Sequence, residues 1–109
     1  MALDHAAAGE KIHIPSLESL PAEAKTSALV KTDRFEAVQL VMRAGSTIAP
    51  HAVDGPIILH CLEGRAILEV DGAVELGAGD WVHLDPGARH GLSAIEDSSL
   101  LLTIIFGKG

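Results

Sequence analysis

Apolar and polar residues alternate with a period of two along most of the chain after Thr26, and that period belongs to strands rather than helices. In residues 35–43, Glu36, Val38, Leu40 and Met42 share one face, and Phe35, Ala37, Gln39 and Val41 share the other. Both faces are mostly apolar, so the strand expected there is covered on two sides. Residues 27–32 form a candidate strand that ends at the turn Asp33-Arg34, and residues 57–62 read as a further buried strand. Residues 65–70 alternate, with Ala66, Leu68 and Val70 together and Arg65 and Glu69 opposite. Asp71-Gly72 is the strongest hairpin signal in the chain, residues 74–76 return from it, and Gly77-Ala-Gly79 interrupts the ladder. Residues 81–84, 91–95 and 100–106 complete the set.

Before Thr26 the pattern is weaker. Residues 1–10 read as a flexible lead-in closed by Gly9, and residues 11–15 alternate up to Pro15 as a short edge strand would. Residues 16–24 offer one helical turn with Ser16 as N-cap, shortened by Pro21, and a loop is the safer reading. The expectation is roughly nine short strands with turn residues every eight to twelve positions, the pattern of an all-β sandwich or barrel. Residues 11–109 would form that single domain.

Composition narrows the picture. Aromatic residues are limited to Trp81, Phe35 and Phe106, so the core must be aliphatic. The net charge of -7, from eight basic and fifteen acidic side chains, argues against nucleic acid and against an anionic membrane surface as partners. Cys61 is the only cysteine, which removes any intramolecular disulfide and suits a reducing compartment. The N-terminus lacks the basic and apolar regions of a secretory signal, and the apolar run 100–106 is too short to span a bilayer. A cytoplasmic protein is expected. The last strand is apolar on both faces, and a second subunit is the economical cover for one of them, which predicts a homodimer.

Chemistry concentrates between Gly45 and His90. Gly45-x5-His51, followed by a strand ending in Leu62-Glu63-Gly64, resembles the first motif of the cupin family. Gly79-Asp80, a strand, and Pro86-Gly87-x-x-His90 resemble the second. The short hairpin between them is similar to that of small, stand-alone bacterial cupins with no assigned reaction. The resemblance covers about half the chain and implies a double-stranded β-helix, the cupin jelly roll. It also implies frequent dimerisation and a pocket inside the barrel.

Metal-binding cupins carry two histidines two residues apart, a Glu or Gln further on, and a last histidine in the second motif. His51 and His90 match the first and last of these, but Val53 and Ile57 stand at the other two positions. Two imidazoles alone hold a divalent ion weakly, since mononuclear sites typically have about three or four protein ligands. Asp54, His60 or Cys61 would have to complete a set. Strict alternation puts Ile57, Leu59 and Cys61 on one face and His60 on the other, whereas a bulge would turn His60 inward. Cys61 also fits as a small buried hydrophobe, and His60 and His83 fit as packed or interface histidines. His5 and His13 lie outside both motifs.

Two functions compete. The first is binding of a small organic molecule in a pocket lined by Met42, Val53, Ile57, Leu59, Cys61 and Trp81, with His51 and His90 as polar anchors. The second is a metal-dependent dioxygenase, isomerase or lyase. It would use one divalent transition metal (Fe, Mn, Ni or Zn) on His51, His90 and a third ligand such as His60 or Asp54. Metal-free base catalysis by either histidine is a weaker variant, because no orienting group is evident. Nucleophile-elbow, phosphate-loop and dinucleotide motifs are absent from the sequence.

Overall fold

The computed structural model describes residues 5–106. Among these residues nine strands form: β1 Ser27–Lys31, β2 Phe35–Met42, β3 Thr47–His51, β4 Ile57–Glu63, β5 Arg65–Glu69, β6 Ala73–Gly77, β7 Trp81–Leu84, β8 His90–Ala94 and β9 Ser98–Ile105. They build two antiparallel sheets, ordered β1-β2-β9-β4-β7 and β3-β8-β5-β6. Leu40, Met42, Ile57, Leu59 and Leu100 of the first sheet meet Leu68, Leu76, Leu92 and Ala94 of the second in one aliphatic core. The architecture is a single jelly roll, as the alternation pattern predicts.

The period of two explains which side chains meet. β2 and β9 pair in unbroken register from Phe35 opposite Ile105 to Met42 opposite Ser98, so Val38, Leu40, Leu100 and Leu102 all turn toward the facing sheet. The turn at residues 70–72 closes β5 on β6, with Glu69 opposite Ala73 and with Asp71 and Gly72 both at positive φ, as tight hairpin loops commonly require.

Two expectations change. Residues 11–15 are not a strand, and a strand appears instead at Thr47–His51, where Pro50 argues against regular pairing and is accommodated at an irregularity. Residues 16–24 contribute only a 3-10 turn at Leu17–Ser19, in which Ser16 makes no side-chain cap. The lead-in assigned to 1–10 lies outside the described residues at 1–4; beyond them, the Ala6 amide donates to Leu29 O at 3.0 Å.

The segment before β1 has a packing role of its own. Gln39 is on the outer face of β2 yet only 3% exposed. Its Nε2 donates to Pro15 O at 3.1 Å and to Ser99 Oγ at 3.0 Å. The Leu17 amide donates to Glu63 Oε2 at 2.9 Å, and the Arg43 guanidinium to Pro21 O at 3.0 Å. One end of the outer face of β2 and β9 is therefore covered by the chain itself rather than by a second subunit.

Candidate ligand pocket

His51 and His90 meet because β3 pairs with β8 in the second sheet, where the two histidines are register partners. Thr47 pairs with Ser93 and Ile48 with Leu92, after which three residues of β3 span two of β8. The extra residue falls at Ala49-Pro50. Proline has no N–H to leave unpaired, so a bulge tolerates it. The shift reverses the parity of β3, which is why Ile48 and His51 line the same cavity although they are three residues apart. On β8, ordinary alternation turns His90, Leu92 and Ala94 inward, all of them buried.

Close contact between the strands also depends on Gly91. A Cβ there would lie 3.2 Å from both Ile48 O and Pro50 Cγ, so a side chain would push β3 away from β8. The Pro86-Gly87 turn is tied down by the Gly87 amide, which donates to Val53 O at 2.8 Å. This bond joins the loop after His51 to the loop before His90.

The two imidazole rings stand with centroids 4.5 Å apart and planes tilted by 53°. Each ring nitrogen Nδ1 lies 3.1 Å from the carbonyl oxygen two residues earlier, Ala49 O for His51 and Ala88 O for His90. A carbonyl only accepts, so each Nδ1 carries the proton and donates it. In the neutral rings Nε2 is then a bare acceptor, and neither Nε2 has a hydrogen-bond partner among the described residues. His90 is buried, while His51 is exposed at the mouth.

Behind the rings lies a cavity of about 210 Å³ walled by Leu40, Ile48, Leu68, Leu92 and Leu102. None of the six wall residues expected from the sequence lines it. Met42, Ile57, Leu59 and Cys61 are packed into the core, and Val53 is partly buried against it. Trp81 is 56% exposed and leans toward His83, at 5.9 Å between ring centroids. Three of the expected wall residues, Ile57, Leu59 and Cys61, belong to β4, with Met42 on β2 and Trp81 on β7. The cavity is instead lined by residues of β2, β3, β5, β8 and β9.

β4 keeps strict alternation through the contested segment. Ile57, Leu59 and Cys61 are 2%, 3% and 0% exposed, and the register with β7 is regular from Ile57 to His60. The shift against β9 comes only after Cys61. His60 therefore points away from the core and does not join His51 and His90. Cys61 is buried with its thiol toward Glu63 O and Gly64 O. Burial first, and then the Asp80 carboxylate, push the Cys61 thiol above its usual range, so it is an inert apolar filler rather than a thiolate ligand. Asp54 does not line the cavity.

Two imidazoles lie 4.5 Å apart between ring centroids, but no group of three or more His, Cys, Asp or Glu side chains able to hold an ion occurs among the described residues. The residues present do not amount to a mononuclear protein site.

Comparison with known proteins places these features. No curated protein matches the sequence. The fold is similar to that of a conserved protein of unknown function from Streptococcus pyogenes, with a TM-score of 0.79 and 18% identity over 98% of each chain. It is similar to KdgF from Halomonas sp., with a TM-score of 0.67 and 23% identity over 76% of this chain and 79% of that one. A predicted oxalate decarboxylase from Thermotoga maritima matches with a TM-score of 0.70 and 22% identity, over 75% and 79%. At these identities the likenesses show the fold alone. The family model of the cupin domain matches residues 38–106, a span that contains both histidine motifs, and the chain belongs to the cupin family.

Proposed function

We propose that this cupin binds a small organic molecule, with its apolar body against Leu40, Leu68, Leu92 and Leu102 and its polar head at His51 and His90. The observation that carries the reading is the cavity itself, an aliphatic chamber whose side-chain polar groups are two imidazoles at the mouth. Ligand sites are commonly of this kind, apolar walls with a few convergent polar groups. A metal-dependent activity is the second reading, favoured by the two free Nε2 atoms and opposed by the missing third donor.

Elemental analysis of protein purified without an affinity tag separates the two. The expected result is far less than one equivalent of Fe, Mn, Ni or Zn per chain, with no difference between the native chain and His90→Ala. About one metal per chain, lost in the variant, would overturn the metal-free reading.

We further propose a homodimer formed through the outer face of the five-stranded sheet. Register places Ala37, Thr103, Ile58 and His83 in one cross-strand row there, and Leu101, His60 and Trp81 in the next. Phe35 and Ile105, which pair at the end of the same sheet, are each 37% exposed. Removing such surface from water favours association. Sedimentation equilibrium is expected to give twice the chain mass for the native protein and the chain mass for Thr103→Arg, which sets a charge in the middle of that row. A native monomer at high micromolar concentration would refute the dimer. The lone buried thiol supports a cytoplasmic location.

A further inference from the structure

The chemistry at the mouth narrows the ligand class beyond a small organic molecule, and this step rests on the binding reading above. Both Nδ1 atoms are committed as donors to Ala49 O and Ala88 O. What the rings present to a ligand in their neutral form is consequently two Nε2 lone pairs, acceptors without donors. No Lys, Arg, Asp or Glu lines the cavity, whose remaining wall is aliphatic. The nearest basic neighbour in sequence, Arg89, lines a separate open groove with Pro50, Glu69 and Asp71. The chain as a whole carries a net charge of -7.

We propose that the pocket selects a neutral ligand headed by a hydrogen-bond donor, such as a hydroxyl on a small ring or short chain, and rejects carboxylates. A hydroxyl donates its proton to Nε2 while its carbon frame fills the aliphatic chamber. A carboxylate has only acceptors to offer. It would face two lone pairs at the edge of an apolar wall, losing part of its water with no cation or donor to replace it. Size sets the other bound. A cavity of about 150 Å³ lined by aliphatic and aromatic groups holds benzene, so the 210 Å³ here suits one six-membered ring with a substituent.

The test compares phenol, toluene and benzoate, which share a ring and differ in the head. Binding to chelator-treated full-length protein at pH 8 is followed through the methyl resonances of Leu68 and Leu92. Phenol is expected to bind about fivefold or more tighter than toluene, the effect of one added hydrogen bond, and benzoate to leave the methyls unshifted at millimolar concentration. His51→Leu and His90→Leu, each folded by its amide spectrum, are expected to bring phenol down to the affinity of toluene. Equal binding of phenol and toluene, or benzoate binding as tightly as phenol, would overturn the donor-headed class while leaving the pocket reading intact. Failure of all three to bind would overturn both. Because His51 is exposed and His90 buried, His51→Leu supplies the decisive comparison if His90→Leu does not fold.

Discussion

Gly64→Ala is expected to yield a chain that is largely unfolded or insoluble at 37 °C. Gly64 links β4 to β5 at φ +87°, in the left-handed region that costs a side-chain-bearing residue about 1–2 kcal/mol. The space is also taken. A Cβ at this position would overlap Asp97 O and sit 2.8 Å from Ser98 Cα, and both obstacles are backbone. The surroundings cannot yield cheaply, because Ser98 is fully buried and its Oγ accepts the Arg65 amide at 3.1 Å and donates to Glu96 O at 2.8 Å. Overpacking of this sort adds about 1–3 kcal/mol. The sum, about 2–5 kcal/mol, reaches the lower end of the roughly 5–15 kcal/mol that holds a domain together. Gly45→Ala is the control. Its φ is +89°, but nothing lies within 4 Å of the added Cβ, so only the backbone term applies, about 1–2 kcal/mol. Thermal melts that put the two variants within a degree or two of each other would refute the packing argument.

The second large effect is expected from Leu100→Ala. Leu100 is fully buried on β9 between Leu40 of β2 and Cys61 of β4. Truncation leaves a void that close-packed neighbours fill only in part, at a cost of about 2–5 kcal/mol. With about 4–8 °C per kcal/mol for a domain of this size, the melting temperature should fall by roughly 10 °C or more. Leu102→Ala, two residues on and on the same face, should cost clearly less. Leu102 is only partly buried and borders the cavity, so its removal enlarges a space that already exists. The same variant should admit a bulkier ring than the native pocket does. If Leu102→Ala destabilises as much as Leu100→Ala, the wall assigned to the cavity is instead core.

Most of the strand positions along the chain follow from local pattern. Alternation in 35–43, 57–62 and 65–70, and the Asp71-Gly72 turn, survive as β2, β4, β5 and the β5–β6 hairpin. Each signal is contained in a few consecutive residues, and the same sheet chemistry acts wherever they are placed. Residues 11–15 fail for a corresponding reason. They alternate, but an isolated alternating segment needs an open sheet edge, and this one instead sends Pro15 O across the outer face of β2 to Gln39.

The pocket was legible only at its mouth. His51 and His90 could be paired from two spaced motifs, whereas for His60 alternation and a bulge both stayed open, and the regular register of β4 against β7 keeps the alternation. The wall could not be read, because face assignments along one strand do not say which of two facing sheets closes around a void and which fills it. By itself, then, the sequence determined an all-β cupin domain, its aliphatic core and its histidine pair. The tertiary structure decided the rest: that the bulge at Ala49-Pro50 turns His51 into the cavity, that β4 is spent on core packing, and that both Nδ1 atoms are held by backbone carbonyls. Those outcomes depend on register between strands distant in the chain, and register is set by the packing of the whole sheet rather than by neighbours in sequence.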